Sequence, residues 1–364
     1  MLFSIFINNL GYELNSSGLG IDLNNTINIS SIFFADDIII IGKSNNALHT
    51  LMNITRTFFK NHKLELSEKK SKLISHSAAT GQITFKGTQA SNLTLEEVLT
   101  CKYLGVPLSC TPHNLLSKFN EQVKTRSEAY LTQVLSLVKT GPDRAELAHT
   151  LWTCVALPSI LYATEVLPLT QATISEVQKC QSVVGKFILQ LPRSSASVAA
   201  CIDAGLKPVW SVIAEKVLLY NSKLMKKPAD YWPRVALSTH MAMGNKSPYI
   251  RYLMKWKSST NTSALLSPNL IRKAVTKAAI IDVLEQQKAH STSTFAMNPP
   301  DSTSSNRWFK PKGWVSDSCR TKIISIFRAC NAQLGNRGPT KDGRFFSLCP
   351  LCSRSGQDAL NNEV

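Results

Sequence analysis

One thirteen-residue stretch, Ser30 to Gly42, constrains this chain more than any other: SSIFFADDIIIIG, an apolar run broken by two acids. Ile32 to Phe34 and Ile38 to Ile41 have the β-branched and aromatic composition of strands, whereas Asp is a turn residue depleted from strand interiors. The pattern predicts a tight hairpin with Asp36 and Asp37 at its tip. Two carboxylates held side by side on a rigid apolar ribbon repel one another, and an oxygen-liganded divalent cation such as Mg2+ relieves the repulsion. A metal there could organise phosphoryl or nucleotidyl transfer. Phe34 to Asp37 taken alone read more readily as a solvated Asp-Asp turn, since Asp is common in turns.

The order of signals around the hairpin sharpens the reading. Upstream stands LFSIFINNLGYEL (Leu2 to Leu14), an apolar segment ending in Asn and Gly. Downstream come a helix, then LELSEKKSKLI (Leu64 to Ile74), then KYLGVPL (Lys102 to Leu108). In this order and at this spacing the four elements resemble the second half of the palm of a reverse transcriptase, in particular those of non-LTR (LINE-like) retrotransposons. The resemblance implies an α+β fold: a partial polymerase palm, an antiparallel sheet with a helix, followed by a helical thumb-like domain and a basic Cys-containing tail.

It also implies roles by position. Asp36 and Asp37 would be the catalytic, metal-binding carboxylates for Mg2+ (or Mn2+), with Asp37 the weaker ligand or electrostatic partner. Lys70, in the KKS of the post-hairpin turn, matches a Lys that meets the nucleotide phosphates, although Ser67 stands where family members often have Asn. Tyr103, Leu104 and Gly105 would form the primer grip; ordinary sheet packing suits Tyr103 and Leu104 as well. The partners so implied are an RNA template, a DNA primer and dNTPs.

In the same family a third carboxylate comes from an earlier palm strand, and basic fingers residues and a Gln-Gly segment lie earlier still. Leu2 to Leu10 resembles the helix just after that segment, so these parts are expected before Met1. Two cations about 3.5 to 4 Å apart need bridging oxygens. Two hairpin carboxylates can hardly fix both, so the chain is expected to be an N-terminally truncated fragment, inactive alone.

Size and charge agree with a folded, nucleic-acid-handling protein. The 364 residues have material for two or three domains, and 43% apolar residues are enough for a core. The 41 Lys and Arg against 24 Asp and Glu give a net charge of +17, which favours a polyanionic partner through release of phosphate counterions. Nucleic acid is the first candidate and membrane headgroups the second, while charge alone suits a generally basic soluble protein equally well. MLFSIFI lacks a basic leader and a small-residue cleavage site, and the apolar runs fall short of the ~20 residues that a spanning helix needs. Nine scattered Cys read as reduced thiols. An intracellular protein, nuclear or cytoplasmic and not bound to a membrane, is expected.

Ser44 is the predicted N-cap of a helix whose buried face is Ala47, Leu48, Leu51, Met52, Ile54, Thr55, Phe58 and Phe59. That helix should cover the back of the sheet carrying Asp36 and Asp37. Leu64 and Leu66, then Leu73 and Ile74, suggest two short strands around the turn Ser67 to Ser71. Ile83 and Phe85 begin a further pair that ends at Tyr103 to Val106, with Gly87 and Gly105 serving the turns.

From about Leu115 the period becomes helical. One helix closes at Gly141-Pro142, and a second runs from Asp143 to about Tyr162 with Pro158 as a kink. A third starts at Thr170 and stops at Pro192, and a fourth spans roughly Pro208 to Met225. From about Ser258 to Asn306, Ser, Thr, Asn and Pro mark a linker, interrupted by one helix near Leu270 to Glu285. The expected domains are a partial palm (1–110), a thumb-like helical domain (111–230), a helical connection and linker (231–306), and a basic tail (307–364).

The tail interleaves Trp308 and Trp314 with Arg307, Lys310 and Lys312, a pattern that suits stacked bases and phosphates but equally a small core under a solvated basic face. Cys349 and Cys352 have the spacing of half a Zn2+ site and resemble the opening of the Cys/His tail of LINE-like elements. No His follows Cys352 and a second ligand pair is missing, so a complete zinc site is not expected. The seven His show no ligand spacing, and there is no Walker or dinucleotide phosphate loop. Two functional readings remain: a fragment of an RNA-directed DNA polymerase, or a non-catalytic nucleic-acid-binding module or decayed element remnant.

Overall fold

The computed structural model describes residues 2–23, 27–75, 82–85, 93–138, 144–262 and 267–289. Gly87, the Gly141-Pro142 stop, the basic tail and the Cys349/Cys352 pair lie outside them. The chain forms two compact units, one of residues 1–119 and 223–251, the other of residues 120–222 and 252–364.

The first unit begins with α1 (Leu2–Ser16), followed by the antiparallel pair β1 (Ile21–Leu23) and β2 (Ile27–Ile29). Next come β3 (Ser31–Phe34) and β4 (Asp37–Ile40), antiparallel, and α2 (Asn45–Asn61). Short strands β5 (Lys72–Leu73), β6 (Gln82–Phe85) and β7 (Leu93–Glu97) form a sheet of order β5-β7-β6, with β5 parallel and β6 antiparallel to β7. The antiparallel hairpin β8 (Thr100–Tyr103) and β9 (Val106–Ser109) leads into the long helix α3 (Pro112–Leu137). The architecture is α+β, helices with several small sheets rather than one closed sheet.

Helix α1 turns Ile7, Leu10 and Leu14 inward, a spacing of three and four residues that makes one face of a helix. They pack with Leu51, Phe58 and Phe59 of α2, and Phe33, Ile38 and Ile40 of the β3–β4 hairpin lie against that cluster. Ser44 caps α2 as the sequence predicts, its side chain accepting from the Ala47 N–H. The predicted apolar face is the buried one, with Leu48 and Ile54 at its edge. The hairpin is thus backed by two helices where the sequence pointed to one.

Two strand expectations need correction. Leu64 and Leu66 alternate like strand residues, yet among the described residues that segment has no ladder partner; both side chains pack on the helical core, and core packing rather than pairing explains the alternation. Ile83 and Phe85 pair with Leu95 and Leu93 of β7, while Tyr103 and Val106 close the separate β8–β9 hairpin.

The second unit takes in most of α3, then α4 (Arg144–Thr150), a π-helical turn (Leu151–Ala156), α5 (Leu157–Ile160), α6 (Gln171–Ile188), α7 (Ser197–Asp203) and most of α8 (Val209–Met225). The kink expected at Pro158 takes the form of the π turn. Proline has no N–H to offer Cys154, and the ladder widens so that the Leu157 N–H bonds to Trp152 O five residues back. Thr170 caps α6, accepting from the Thr173 N–H. Helix α9 (Trp232–Met243) and a 3-10 turn (Gly244–Lys246) belong to the first unit, where α9 packs on β1. Helix α10 (Pro248–Thr260) begins in the first unit and ends in the second, and α11 (Pro268–Ala289) lies in the second. Most of the stretch expected to be linker up to residue 289 is therefore helical, and the interrupting helix is longer than predicted at both ends. Among the described residues no helix is long and apolar enough to cross a membrane.

Candidate functional site

Strands β3 and β4 pair Phe33 with Ile38 and Phe34 with Asp37, leaving Ala35 and Asp36 as a two-residue turn. Ala35 takes a φ of 51°, the positive value that lets a two-residue loop match the twist of the flanking strands. Asp36 therefore sits in the turn and Asp37 is the first residue of the returning strand. Side chains alternate along a strand, so Phe33 and Ile38 point into the core while Phe34 and Asp37 share the opposite face. That face is open: Phe34 is 61% and Ile32 40% exposed. Both carboxylates are exposed, and among the described residues Asp36 makes no hydrogen bond or ion pair.

The base of the hairpin is fixed from α1. Asn15 Oδ1 accepts from the N–H groups of Ser30 (2.9 Å) and Ser31 (3.1 Å). Gly11 lets the helix come close to β3, since a Cβ there would stand 2.9 Å from the Phe33 ring. The tip is thus displayed by a strand pair held at its root and along one face.

The second hairpin turns at Leu104 and Gly105, with φ of 49° and 78°. Positive φ at both positions is the signature of the tight turn in which Gly is favoured at the second place. Tyr103, the last residue before that turn, is half-buried, and its buried Oη has no hydrogen-bond partner among the described residues. Its phenol ionises above the usual tyrosine range, chiefly because burial disfavours the anion and secondly because of the Asp37 charge. The Tyr103 side chain and the acidic tip therefore share one electrostatic neighbourhood. Lys70 is exposed, in a turn whose Lys70 and Ser71 N–H groups donate to Ser67 O (3.2 and 3.0 Å).

A direct check of this neighbourhood is available. Asp37→Asn should move Tyr103 ionisation partway back toward the ordinary value, leaving the larger contribution of burial. A Tyr103→Phe control isolates this phenol in a spectroscopic alkaline titration. Because the folded phenol titrates higher than the unfolded one, its contribution to stability is present below the unfolded pKa of about 10 and is lost as pH rises above it. An unchanged Tyr103 titration in Asp37→Asn would separate the two hairpin tips.

Adjacent exposed carboxylates are hard oxygen donors of the kind that Mg2+ and Mn2+ prefer. Among the described residues no third Asp, Glu, His or Cys joins them to make a metal-holding group. The pair fits part of a divalent site and does not complete one. Sequence reasoning missed the open apolar face beside the acids, although the alternation of Ile32 and Phe34 with Phe33 carries the signal.

No curated protein and no solved structure matches the chain. The segment that builds both hairpin tips and the helices behind them, residues 1–108, matches the family model of the reverse transcriptase (RNA-dependent DNA polymerase).

Proposed function

We propose that this chain is a palm-containing part of an RNA-directed DNA polymerase of the non-LTR (LINE-like) retrotransposon kind, extending DNA on a primed RNA template. The observation that carries the reading is the placement of Asp36 and Asp37 on an exposed hairpin tip, electrostatically coupled to the Tyr103 hairpin, inside the segment that matches the reverse transcriptase family. Asp36 and Asp37 contribute oxygens to a divalent-metal site whose remaining carboxylate the described residues do not supply. A divalent cation in the completed site would activate the primer hydroxyl and neutralise the leaving pyrophosphate. Tyr103, Leu104 and Gly105 hold primer backbone against the acidic tip, and Lys70 offers a point charge to nucleotide phosphates. The helices that follow act as the thumb on the duplex.

The test joins a palm segment carrying a third Asp ahead of residue 1 and supplies primed RNA and dNTPs. Incorporation should require Mg2+ or Mn2+, and the 364-residue chain alone should give none. A joined protein that binds the primed RNA but incorporates nothing would overturn the polymerase reading. It would favour the second one, a nucleic-acid-binding module without turnover, which the net charge of +17 and the incomplete acid set support. Such binding falls steeply with salt.

A further inference from the structure

In the second unit, residues of α6, α8, α10 and α11 line an open pocket of about 650 Å3, within the size range of small-molecule sites. Its walls are tied together by side chains. Trp210 Nε1 on α8 donates to Asp282 Oδ2 on α11 at 2.7 Å, and Lys255 Nζ on α10 donates to Gln171 Oε1 on α6 at 3.1 Å. Arg272 on α11 pairs with Glu215 on α8 at 3.2 Å. These links tie α8 to α11 and α10 to α6 before any ligand arrives.

The aromatic content is arranged in layers. Trp210 and Trp256 lie nearly parallel, 8° apart, with ring centroids 6.3 Å apart. Trp256 is buried to 2% exposure and covered by the Lys255 ammonium 4.7 Å from its centroid. The aromatic surface left for a ligand is therefore mainly that of the half-buried Trp210. In the same lining, α11 presents Ala274 and Ala278, whose short side chains leave a slot, together with the exposed Lys277. Lys255 is held below the usual lysine range by burial, so part of its hydration is already stripped.

We propose that this cavity takes one unpaired nucleobase, stacked on Trp210 in the slot beside Ala274 and Ala278, with its phosphate at Lys277 and the Asp282 and Glu285 carboxylates facing its amino groups. A flat aromatic wall with polar groups on its rim suits a base better than an aliphatic ligand, because every base has a π-face and a hydrogen-bonding edge. The net charge of +17 brings polyanions to the protein. This inference rests on the reading that the protein handles nucleic acid, and it adds a single-strand site away from the acidic hairpin.

The probe is a single-stranded RNA oligonucleotide carrying 5-bromouracil, irradiated with the full chain and followed by peptide mapping, with the free mononucleotide as competitor. An adduct on Trp210 is expected. Ala278→Leu should fill the slot and lower it about tenfold, the scale of one stacked base, while the thermal midpoint and the binding of duplex remain unchanged. Lys277→Glu, at an exposed position, should weaken the adduct in the same direction. Protection by the mononucleotide at concentrations similar to the oligonucleotide would identify a free nucleotide as the source of the base; protection by the oligonucleotide alone would identify a strand. Adducts confined to other tryptophans, an adduct on Trp210 indifferent to Ala278→Leu, or no adduct at all would overturn the proposal. These results are independent of incorporation, so a failed polymerase assay with an intact Trp210 adduct faults only the catalytic reading.

Discussion

Asp36→Ala in the joined polymerase is expected to lower nucleotide incorporation by about a thousandfold and to leave the thermal unfolding midpoint where it was. A divalent cation contributes several kcal/mol of transition-state stabilisation, and each 1.4 kcal/mol is about tenfold in rate. The side chain in the turn is exposed and has no partner among the described residues, so its removal takes nothing from the fold and relieves repulsion from Asp37. Asp37→Ala should cost less activity, about tenfold, because Asp37 lies on the strand beside Phe34 rather than at the apex. Steady-state incorporation on a primed RNA, paired with calorimetry of the same two variants, separates catalytic loss from misfolding. Equal losses at both positions, or a variant at Asp36 that incorporates normally, would refute the assignment.

The largest loss of stability is expected at a site far from any chemistry. Trp152 is fully buried in the π-helical turn, and its Nε1 donates to Gln181 Oε1 on α6 at 3.2 Å. Gln181, itself buried, uses its amide N–H to bond Lys207 O at 2.8 Å, so one side chain fastens the π turn, α6 and the approach to α8. Trp152→Ala leaves a cavity and an acceptor without a donor, and the expected cost is about 3 to 5 kcal/mol, a large fraction of what holds a domain of this size together. Trp152→Phe keeps most of the volume and loses only the hydrogen bond, for about 1 to 3 kcal/mol. Denaturant titration of the three proteins should give that order. A midpoint for Trp152→Ala within error of the parent would mean that the unit is not organised around this residue.

What the sequence discloses about the fold divides along physical lines. The Asp-bearing hairpin was legible because two acids interrupt β-branched runs, and α2 and α6 were legible because Ser44 and Thr170 cap apolar residues at three- and four-residue steps. Those signals are local, and local chemistry is what a single sequence records. The parallel pairing of Lys72–Leu73 with Glu96–Glu97 was not legible: a two-residue strand has no period, and its partner lies more than twenty residues on. Leu64 and Leu66 misled because alternate burial on a helical core looks the same as alternate burial on a sheet. Helix α9 falls in the stretch read as a helical connection, but its start was not legible, because its opening, Tyr231-Trp232-Pro233, offers no side-chain cap to the first turn. At the site, the acids and the Tyr103-Leu104-Gly105 turn could be named from sequence, but the electrostatic reach of Asp37 to Tyr103 could not. The Trp210 cavity combines residues from helices scattered between 171 and 285, which no motif joins.

The division of the chain has a practical result for anyone who dissects it. The first unit closes only when residues 223–251, including the helix that rests on β1, return to it after the chain has built most of the second. No single cut releases either piece whole: a truncation after residue 119 strips the acidic hairpin's own unit of α9, and a start at residue 120 carries that helix away as an orphan. Deletion series designed on a linear map would remove α9, which packs on β1 in the same unit as the acidic hairpin, and would read the resulting loss of that unit's integrity as a local effect.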